Sequence, residues 1–299
     1  MNVDGKVVVV TGAASGIGLA LAWALSERGC RLTLADIDLD RAQAAAEEIG
    51  GDAFPVACDV SDRDAVEALA DAAQARHGDV DIVFNNAGVM PAGGSGGIDA
   101  DPSDLDWVLA VNVVGTWNGC SVFGKRLAAR PQPGWIVNTA SEHALGMQHP
   151  GQAFYTASKH AILGLSDVLR AELPDQVGIS VLCPGMVRSE LWNSVRHRAQ
   201  PLDSDTKALL PFTKAVMDHG MPAVDVARKA IAGIERGDFL IVTHAASRPA
   251  ADRRSSEVGA AFDAQAPYDE GWQRYDLTTV IQAVLDDQRR DAGTKLTQP

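Results

Sequence analysis

The sequence predicts an α/β fold in which helices flank a doubly wound parallel sheet of about seven strands. Across the first 245 residues, short apolar runs rich in β-branched residues alternate with helical patterns. Several of these runs are apolar almost throughout, which is typical of strands buried on both faces of a parallel sheet. Regular strand–helix alternation favours right-handed crossovers and therefore a Rossmann-like domain. After residue 245 the strand pattern stops, and a C-terminal helical extension is expected.

The strand candidates are bounded by helical patterns or by turn residues. The helix after the first strand carries Ile17, Leu21 and Leu25 four residues apart on one face, and it is expected to end at Gly29. The predicted strands are residues 6–11, 31–36, 53–58, 81–85, 135–139, 179–183 and 239–243.

Two further helices have recognisable ends. One is predicted to begin at Ser61, where Asp64 three residues later makes an acidic variant of the capping box, and to run to Gly78. The other covers residues 276–290, with Asp276 at its N-cap. Its apolar stripe consists of Leu277, Val280, Ile281, Val284 and Leu285.

This pattern divides the chain into a Rossmann-like domain, residues 1–245, and an extension, residues 246–299. The extension is expected to be partly helical. Its helix could pack on the same domain or on a partner subunit, and the sequence leaves both open.

The composition restricts the classes of partner. Hydrophobic residues make up 46% and charged residues 22% of the chain, as in ordinary globular proteins. The formal net charge of -13 opposes binding to nucleic acid or to an anionic membrane surface. No apolar run approaches the ~18 residues of a membrane span, and the N-terminal residues lack the pattern of a signal peptide. Because the four cysteines match no paired spacing, we expect a cytoplasmic protein. The negative charge leads us to expect neither a nucleic-acid nor a membrane partner.

A glycine-rich loop, TGAASGIG at residues 11–18, follows the first strand and opens a helix. Glycines let the backbone approach a pyrophosphate, and the helix N-terminus offers free N–H groups and positive dipole. A glycine-rich turn without function is the alternative, but the strand–loop–helix context favours a nucleotide site. The loop residues expected to hold the nucleotide are Gly12, Ser15, Gly16, Ile17 and Gly18.

Asp36 ends the second strand, eighteen residues after Gly18. A carboxylate there can accept hydrogen bonds from both hydroxyls of the adenosine ribose, and it repels a 2′-phosphate. Asp36 could instead be a strand-end carboxylate that begins a turn. Because Ile37 stands where an NADP site more often has a basic residue, the sequence favours NAD over NADP.

Three polar residues lie near one sheet edge. Ser141 comes just after a strand, and Tyr155 and Lys159 lie four apart on the next helix, so they share a face. A tyrosine with a reference pKa of about 10 is too weak a base near neutrality. A nearby ammonium stabilises the phenolate and lowers that pKa, as general acid–base catalysis requires. An ordinary pair on a helix surface is the alternative, which Ser141 and the nucleotide loop make less favourable.

Together these residues resemble the short-chain dehydrogenase/reductase family over about residues 5–245. The motifs that carry the resemblance occur in the family's order and spacing. They are TGAASGIG (11–18), CDV (58–60), NNAG (85–88), Asn112, Ser141, YTASK (155–159) and CPGMV (183–187).

The resemblance implies a role for each catalytic residue. Tyr155 would exchange a proton with the substrate oxygen, to which Ser141 would hydrogen-bond. Lys159 would lower the pKa of Tyr155 and hold the nicotinamide ribose. Asn112 would support a water through which protons reach solvent. From the residues alone, Asn112 could be a polar side chain in a helix, satisfied by a neighbour or by an ordered water.

The resemblance also implies further cofactor contacts. Asp59 and Val60 would contact the adenine, and the segment from Pro184 would hold the nicotinamide carboxamide. Ser189 stands where many family members have threonine, so the hydroxyl is kept and a methyl is lost. The other residues expected along the cofactor cleft are Asn85, Asn86, Ala87, Gly88, Gly185 and Val187.

Two segments are expected to form the substrate pocket. One lies between Ser141 and Tyr155, and the other is a lid at about residues 189–220. An oligomer contact is the alternative for the second segment. No metal site is expected, because no carboxylate–histidine spacing on a regular element accompanies the two histidines. The expected pocket residues are Glu142, His143, His149, Leu191 and Trp192.

The predicted function is hydride transfer between NAD(H) and a secondary alcohol or ketone. The mixed apolar lid favours a mostly apolar small-molecule substrate. The segment DLDWVLAVNVVGTWNG (104–119) and the length near 300 resemble a subgroup of the family that acts on benzylic secondary alcohols of lignin-derived aryl ethers, which implies a bulky aromatic or alicyclic alcohol. A non-catalytic dinucleotide sensor or scaffold is the alternative. A cofactor-recycling epimerase or dehydratase is disfavoured, because such relatives usually show TGxxGxxG rather than TGxxxGxG. By analogy with the family, a homodimer or homotetramer is expected.

Overall fold

The centre of the protein is a parallel β-sheet. The computed structural model describes residues 1–91, 97, 98 and 100–295. Its strands are β1 (Val7–Thr11), β2 (Arg31–Asp36), β3 (Phe54–Ala57), β4 (Ile82–Asn85), β5 (Gly134–Thr139), β6 (Val177–Cys183), β7 (Val187–Arg188), β8 (Met221–Pro222) and β9 (Leu240–Val242). In this described part of the chain, seven strands form one sheet in the order β3-β2-β1-β4-β5-β6-β9, while β7 and β8 pair separately. All pairs are parallel, so the prediction of a doubly wound sheet of about seven strands is confirmed.

The strand order reverses at β1, which lies between β2 and β4. Connections from β1 and β4 therefore leave toward opposite sides, and a crevice opens at the carboxyl ends of these strands. The first strand is buried along its whole length, as its run of four valines predicts.

Helices cover both faces of the sheet. On one face, Leu21 and Leu25 pack in a core with Ile231, and on the other Leu69 packs with Phe123. The α-helices in the described residues are α1 (Gly16–Ser26), α2 (Leu39–Ile49), α3 (Arg63–His77), α4 (Pro102–Val108), α5 (Gly115–Ala128), α6 (Ala153–Glu172), α7 (Ser204–Asp218), α8 (Ala223–Arg236), α9 (Arg248–Gln265) and α10 (Leu277–Lys295). A π-helical segment, Leu109–Val114, joins α4 to α5.

The structure corrects two predicted helix ends. The helix α1 ends at Ser26, and Gly29 lies beyond it with φ of 71°. The helix α3 begins after Asp62, whose side chain accepts a hydrogen bond of 2.9 Å from the backbone N–H of Asp64. The predicted start at Ser61 is wrong, because the Ser61 hydroxyl donates instead to Asp59 at 2.7 Å.

The chain forms two compact units, Met1–Ala251 and a second unit from Asp252 onward. This division lies six residues after the predicted boundary at residue 245. In the second unit, Asp276 accepts a hydrogen bond of 3.0 Å from the Thr279 N–H, which confirms its N-cap role for α10. None of the helices in the described ranges is long and apolar enough to cross a membrane.

Candidate active site

A cavity of about 560 Å³ lies at the carboxyl edge of the sheet. It extends from the glycine loop at residues 11–18 to Tyr155 and Lys159, so both ends of the predicted site open into one space. Of the predicted cofactor residues, Gly12, Ser15, Gly16, Ile17, Asp36, Asp59, Val60, Asn86, Ala87, Gly88, Pro184, Gly185, Val187 and Ser189 line it.

The glycine loop needs its glycines for two reasons. Gly12 and Gly16 have φ of 64° and 55°, in the left-handed region that favours glycine. A Cβ on Gly18 would lie 2.1 Å from the carbonyl oxygen of Gly12, so Gly18 lets α1 pack closely against the loop. Gly18 is not among the residues that line the cavity. The N-terminus of α1 faces the cavity beside Ser15 and Gly16 and can hold a phosphate group.

Asp36 has two roles that the sequence could not separate. One carboxylate oxygen accepts from the Ala14 N–H at 3.0 Å, and the other accepts from the Asp38 N–H at 3.1 Å. The residue also lines the cavity together with Ile37. It therefore fixes the glycine loop to the end of β2 and at the same time presents a carboxylate to a ligand.

The two asparagines of the NNAG motif face different surroundings. The Asn86 side chain donates to the Thr11 carbonyl at 3.0 Å and lines the cavity. Asn85 does not line the cavity, contrary to the prediction. Its buried amide donates to Asn138 at 2.8 Å, between β4 and β5.

Tyr155 and Lys159 are buried on one face of α6, next to Ser141. The Lys159 Nζ lies 5.4 Å from the centre of the Tyr155 ring and donates to the Thr139 carbonyl at 2.9 Å. Ser141 caps the 3₁₀ turn Glu142–Leu145 by accepting from the His143 N–H at 3.3 Å. Its hydroxyl oxygen lies 3.4 Å from the Pro184 carbonyl.

Burial dominates the ionisation of this pair. It raises the pKa of Tyr155 to about 12, partly opposed by a hydrogen bond with Ser141, and the Glu142 charge adds to the rise. Burial also lowers the pKa of Lys159 to about 8. The expected lowering of the Tyr155 pKa by Lys159 is not seen in this geometry, because loss of hydration destabilises the phenolate more than its surroundings stabilise it.

Asn112 lies in the π-helical segment and is fully buried. Its amide nitrogen donates to the Val89 carbonyl and to the Ser158 hydroxyl, each at 3.0 Å, and its oxygen accepts from the Val89 N–H at 2.8 Å. The side chain is thus satisfied by neighbours, which is one of the two alternatives left open by the sequence. A π-helical turn at this point is typical of a functional site.

Comparison with known proteins identifies the family of this chain. Residues 6–200 match the family described as short chain dehydrogenase. The chain belongs to this family.

Two curated relatives of this short-chain dehydrogenase illustrate the match. The chain is 38% identical to D-threitol dehydrogenase of Mycolicibacterium smegmatis over 248 residues, which are 80% of this chain and 92% of that protein. It is 42% identical over 202 residues to the probable oxidoreductase EphD of Mycobacterium tuberculosis. That match covers 66% of this chain but only 34% of EphD, so the chain spans about a third of the length of that relative.

Solved structures of the family have the same fold. A short-chain dehydrogenase/reductase from Burkholderia phymatum in complex with NAD superposes with a TM-score of 0.81 and 32% identity, over 90% of this chain and 99% of that one. One from Burkholderia cenocepacia in complex with NADP gives a TM-score of 0.69 and 25% identity, over 90% of this chain and 100% of that one.

The substrate end of the cavity carries the predicted polar residues Glu142, His143 and His149. The His143 and His149 rings lie 4.6 Å apart, and His143 meets the Tyr155 ring edge-on at 5.1 Å. Burial, followed by the nearby charges of other residues, lowers the pKa of His143 to about 4. No group of residues that could hold a metal ion occurs in the part of the chain that the structure describes.

The predicted lid at residues 189–220 consists of two elements, the 3₁₀ segment Leu191–His197 and the helix α7. The Ser194 hydroxyl exchanges hydrogen bonds with the backbone of Met90, at 3.0 and 3.1 Å. Leu191, one of the expected pocket residues, lines the cavity. Trp192 does not, because a 3₁₀ segment has three residues per turn and here presents Leu191, Ser194 and His197 to the cavity.

Several cavity residues were not among the predicted site residues. Met90, Trp107 and Gln152 lie on segments that meet only in the folded chain, and no motif singles them out. The apolar face of α7 adds Phe212 and Met217, whose place in an apolar lid gave a partial signal.

Proposed function

We propose that this short-chain dehydrogenase transfers a hydride between NAD(H) and a secondary alcohol or ketone with a bulky apolar body, aromatic or alicyclic. The observation that carries the proposal is a single cavity with the glycine loop at one end and Ser141, Tyr155 and Lys159 at the other. A dinucleotide seated on the loop reaches the buried tyrosine without leaving this cavity.

The glycine loop supports a dinucleotide cofactor. A Cβ on Gly12 would lie 2.9 Å from the Ala87 backbone, and one on Gly16 would lie 3.1 Å from Ser189, so the glycines let the loop pack closely against these two segments of the cavity wall. The nicotinamide group supplies or accepts the hydride when it is bound. Lys159 would hold its ribose, and the backbone from Pro184 to Val187 would hold its carboxamide.

Tyr155 is the proposed acid–base residue. In reduction its buried phenol gives a proton to the substrate oxygen, and in oxidation the phenolate takes the proton from the alcohol. Ser141 orients that oxygen by a hydrogen bond. Asn112 would keep the π-helical turn against α6, through Ser158, at the place where protons pass to solvent.

NAD is the proposed cofactor rather than NADP. The Asp36 carboxylate lies in the cavity where a 2′-phosphate would be repelled. Arg41 on α2 could have offset this charge, but its guanidinium pairs with Glu190 at 2.8 Å. The solved relatives include complexes with each cofactor, so the choice depends on these residues.

The walls near Tyr155 support an apolar substrate body. They come from the segment after β4, from α4, from the π-helical segment, from the loop after β6 and from α7. Their apolar members are Val89, Met90, Trp107, Ala110, Val111, Met186, Phe212, Val216 and Met217.

The substitution Tyr155→Phe tests this function. The variant is expected to lose at least about 100-fold in kcat on any secondary alcohol or ketone that the wild type converts, while NADH affinity stays within about twofold. Tyr268→Phe, in the exposed loop before α10, is the matched control and keeps full activity. Near-wild-type turnover by Tyr155→Phe contradicts the proton-transfer role.

A panel of secondary alcohols and ketones, read at the NADH absorbance with NAD and NADP in parallel, tests the reaction class. Tight NADH binding without any conversion across the panel would favour the alternative, a non-catalytic dinucleotide sensor or scaffold. We also propose a cytoplasmic homodimer or homotetramer in which the extension, residues 246–299, covers the domain or a partner subunit. Light scattering on the full chain measures that assembly.

A further inference from the structure

A carboxylate, Glu142, lines the same cavity as the proposed acid–base residue, and its charge acts on Tyr155. The Glu142 side chain is 12% exposed. Its Oε2 accepts from the Ser247 hydroxyl at 2.5 Å, and its Oε1 lies 3.7 Å from the His149 Nε2. Among the described residues, no hydrogen bond is made to Oε1, which leaves this oxygen able to accept from a ligand in the cavity.

A second acceptor lines the same cavity. The Oε1 of Gln152 is buried and has no hydrogen-bond partner within the described ranges, and Gln152 lines the cavity. Gln152 is the residue before α6, three positions before Tyr155, but its side chain makes no capping hydrogen bond. An unpartnered buried acceptor is costly, so a bound donor at this place is favourable.

Within the described residues, no lysine or arginine forms an ion pair with Glu142. His143, between Glu142 and Tyr155, is neutral at physiological pH and its Nδ1 is engaged with Thr156 at 2.7 Å. His149 is the partner of Glu142 at the outer side, with a half-exposed ring. The wall beside Tyr155 is therefore rich in acceptors, and a substrate anion placed there would meet a carboxylate.

We propose that Glu142 and Gln152 are specificity-determining residues that bind a hydrogen-bond donor on the substrate, a second hydroxyl or an amine close to the reacting carbon. The pair also excludes substrates with a carboxylate at that position. This inference rests on the proposed function. It refines the substrate class from an apolar alcohol to one with an apolar body and a donor group next to the carbinol.

The alternative is a purely structural role for Glu142, here called bracing, in which its carboxylate only holds Ser247 in place by a hydrogen bond. The binding role and the bracing role predict different effects when the charge of Glu142 is removed. A binding role predicts that Glu142→Gln changes the ranking of substrates, because the amide keeps an acceptor oxygen for Ser247 and loses the charge. A bracing role predicts that Ser247→Ala, which removes the hydroxyl but keeps the carboxylate, has the same effect on the ranking.

The experiment compares four alcohols that share one carbinol: 1-phenylethanol, 1-phenyl-1,2-ethanediol, 2-amino-1-phenylethanol and mandelate. A matched cyclohexyl series is run in parallel. For the wild type, kcat/KM for the diol and the amino alcohol is expected to exceed that of the plain alcohol by about 10- to 100-fold, with the carboxylate lowest. These ratios are measured in each variant with NAD.

The variants distinguish recognition of the substrate amine from recognition of the second hydroxyl. Glu142→Gln is expected to lower the advantage of the amino alcohol about tenfold, and to lower that of the diol less, because an ammonium needs the charge. Gln152→Leu is expected to lower the advantage of the diol. Ser247→Ala is expected to keep the wild-type ratios.

Equal kcat/KM for all four alcohols in the wild type overturns the inference but leaves the proposed function standing, because turnover itself is seen. The same loss of ranking in Ser247→Ala as in Glu142→Gln also overturns it, in favour of the bracing role. No turnover of either series, with either cofactor, overturns the proposed function and this inference together.

Discussion

Lys159 donates a hydrogen bond of 2.9 Å to the carbonyl of Thr139, the last residue of β5. This bond fixes the amine at the carboxyl edge of the sheet, although only 4% of the residue is exposed. Burial lowers the pKa of Lys159 to about 8, so the folded chain holds this proton less tightly than the unfolded chain does. A buried ionisable residue whose charged form destabilises the folded state is typical of a functional site.

Lys159→Met is therefore expected to stabilise the protein while abolishing turnover. A pKa lowered from 10.5 to about 8 corresponds to roughly 3 kcal/mol of unfavourable free energy below pH 8. Loss of the hydrogen bond to the Thr139 carbonyl destabilises the variant by about 1 kcal/mol and so reduces this gain. Urea unfolding at pH 7 should show the unfolding free energy of the variant higher by about 1–3 kcal/mol.

The pH dependence of this difference is specific. Between about pH 8 and pH 10.5 the unfolded chain keeps the Lys159 proton and the folded chain has lost it, so wild-type stability rises with pH. The advantage of Lys159→Met should shrink across this window. Lys214→Met is the control, because the Lys214 side chain on α7 is half-exposed. This substitution should change the unfolding free energy by less than about 0.5 kcal/mol at any pH. A constant difference from pH 7 to pH 10 would contradict the assignment.

Gly18→Ala is expected to disrupt the nucleotide loop. The new Cβ would lie 2.1 Å from the Gly12 carbonyl oxygen, which belongs to the backbone and cannot move alone. We expect a loss of at least about 2 kcal/mol in stability and no measurable NADH binding by calorimetry. Gly164→Ala, in the middle of α6 with open space around its Cβ, should instead stabilise by up to about 1 kcal/mol. Unchanged NADH affinity in Gly18→Ala would be inconsistent with the close packing described.

Arg198→Met is expected to destabilise the segment that covers the cavity. Its side chain is 7% exposed and pairs with Asp104, 6% exposed, at 2.5 Å. Removal of one partner leaves a buried carboxylate and should cost about 3–5 kcal/mol in unfolding free energy. KM for substrate should also rise, because Arg198 directly follows the 3₁₀ segment that contributes Leu191.

Two comparisons check the Arg198 prediction. Arg236→Met removes an ion pair whose arginine is 61% exposed, and it should cost at most about 1 kcal/mol. The double variant Asp104→Asn with Arg198→Met should recover part of the lost stability, since no buried charge remains. If the double variant is less stable than Arg198→Met by the full cost of a second deletion, the two residues do not act as a pair.

Asp36→Asn is expected to change the cofactor preference. The amide keeps one acceptor oxygen for the loop backbone but no longer repels a 2′-phosphate, so the ratio of kcat/KM for NAD to that for NADP should fall at least about tenfold. Asp40→Asn, in the exposed first turn of α2, is the control and should leave the ratio unchanged. A ratio that is equally high in Asp36→Asn would remove Asp36 as the basis of NAD selection.

Much of the fold could be predicted from the sequence because its signals are local. The four valines of β1, the glycines that follow them and the spacing of Tyr155 and Lys159 each act within one strand, loop or helical turn. The start of α3 could not be predicted to the residue, because Ser61 and Asp62 both offer a side-chain oxygen that could cap the helix. The periodicity of α9 was also too weak to predict that helix, although it is regular over Arg248–Gln265.

By itself, the sequence determined the sheet class, the glycine loop and the identity of the serine, tyrosine and lysine at the site. Only the tertiary structure decided which side chains reach the cavity and how they ionise. Asn85 and Trp192 turn away from it, while Gln152 turns toward it. Glu142 meets Ser247 across 105 positions of sequence. Burial and such distant contacts set hydration and charge, and they exist only once the chain has folded.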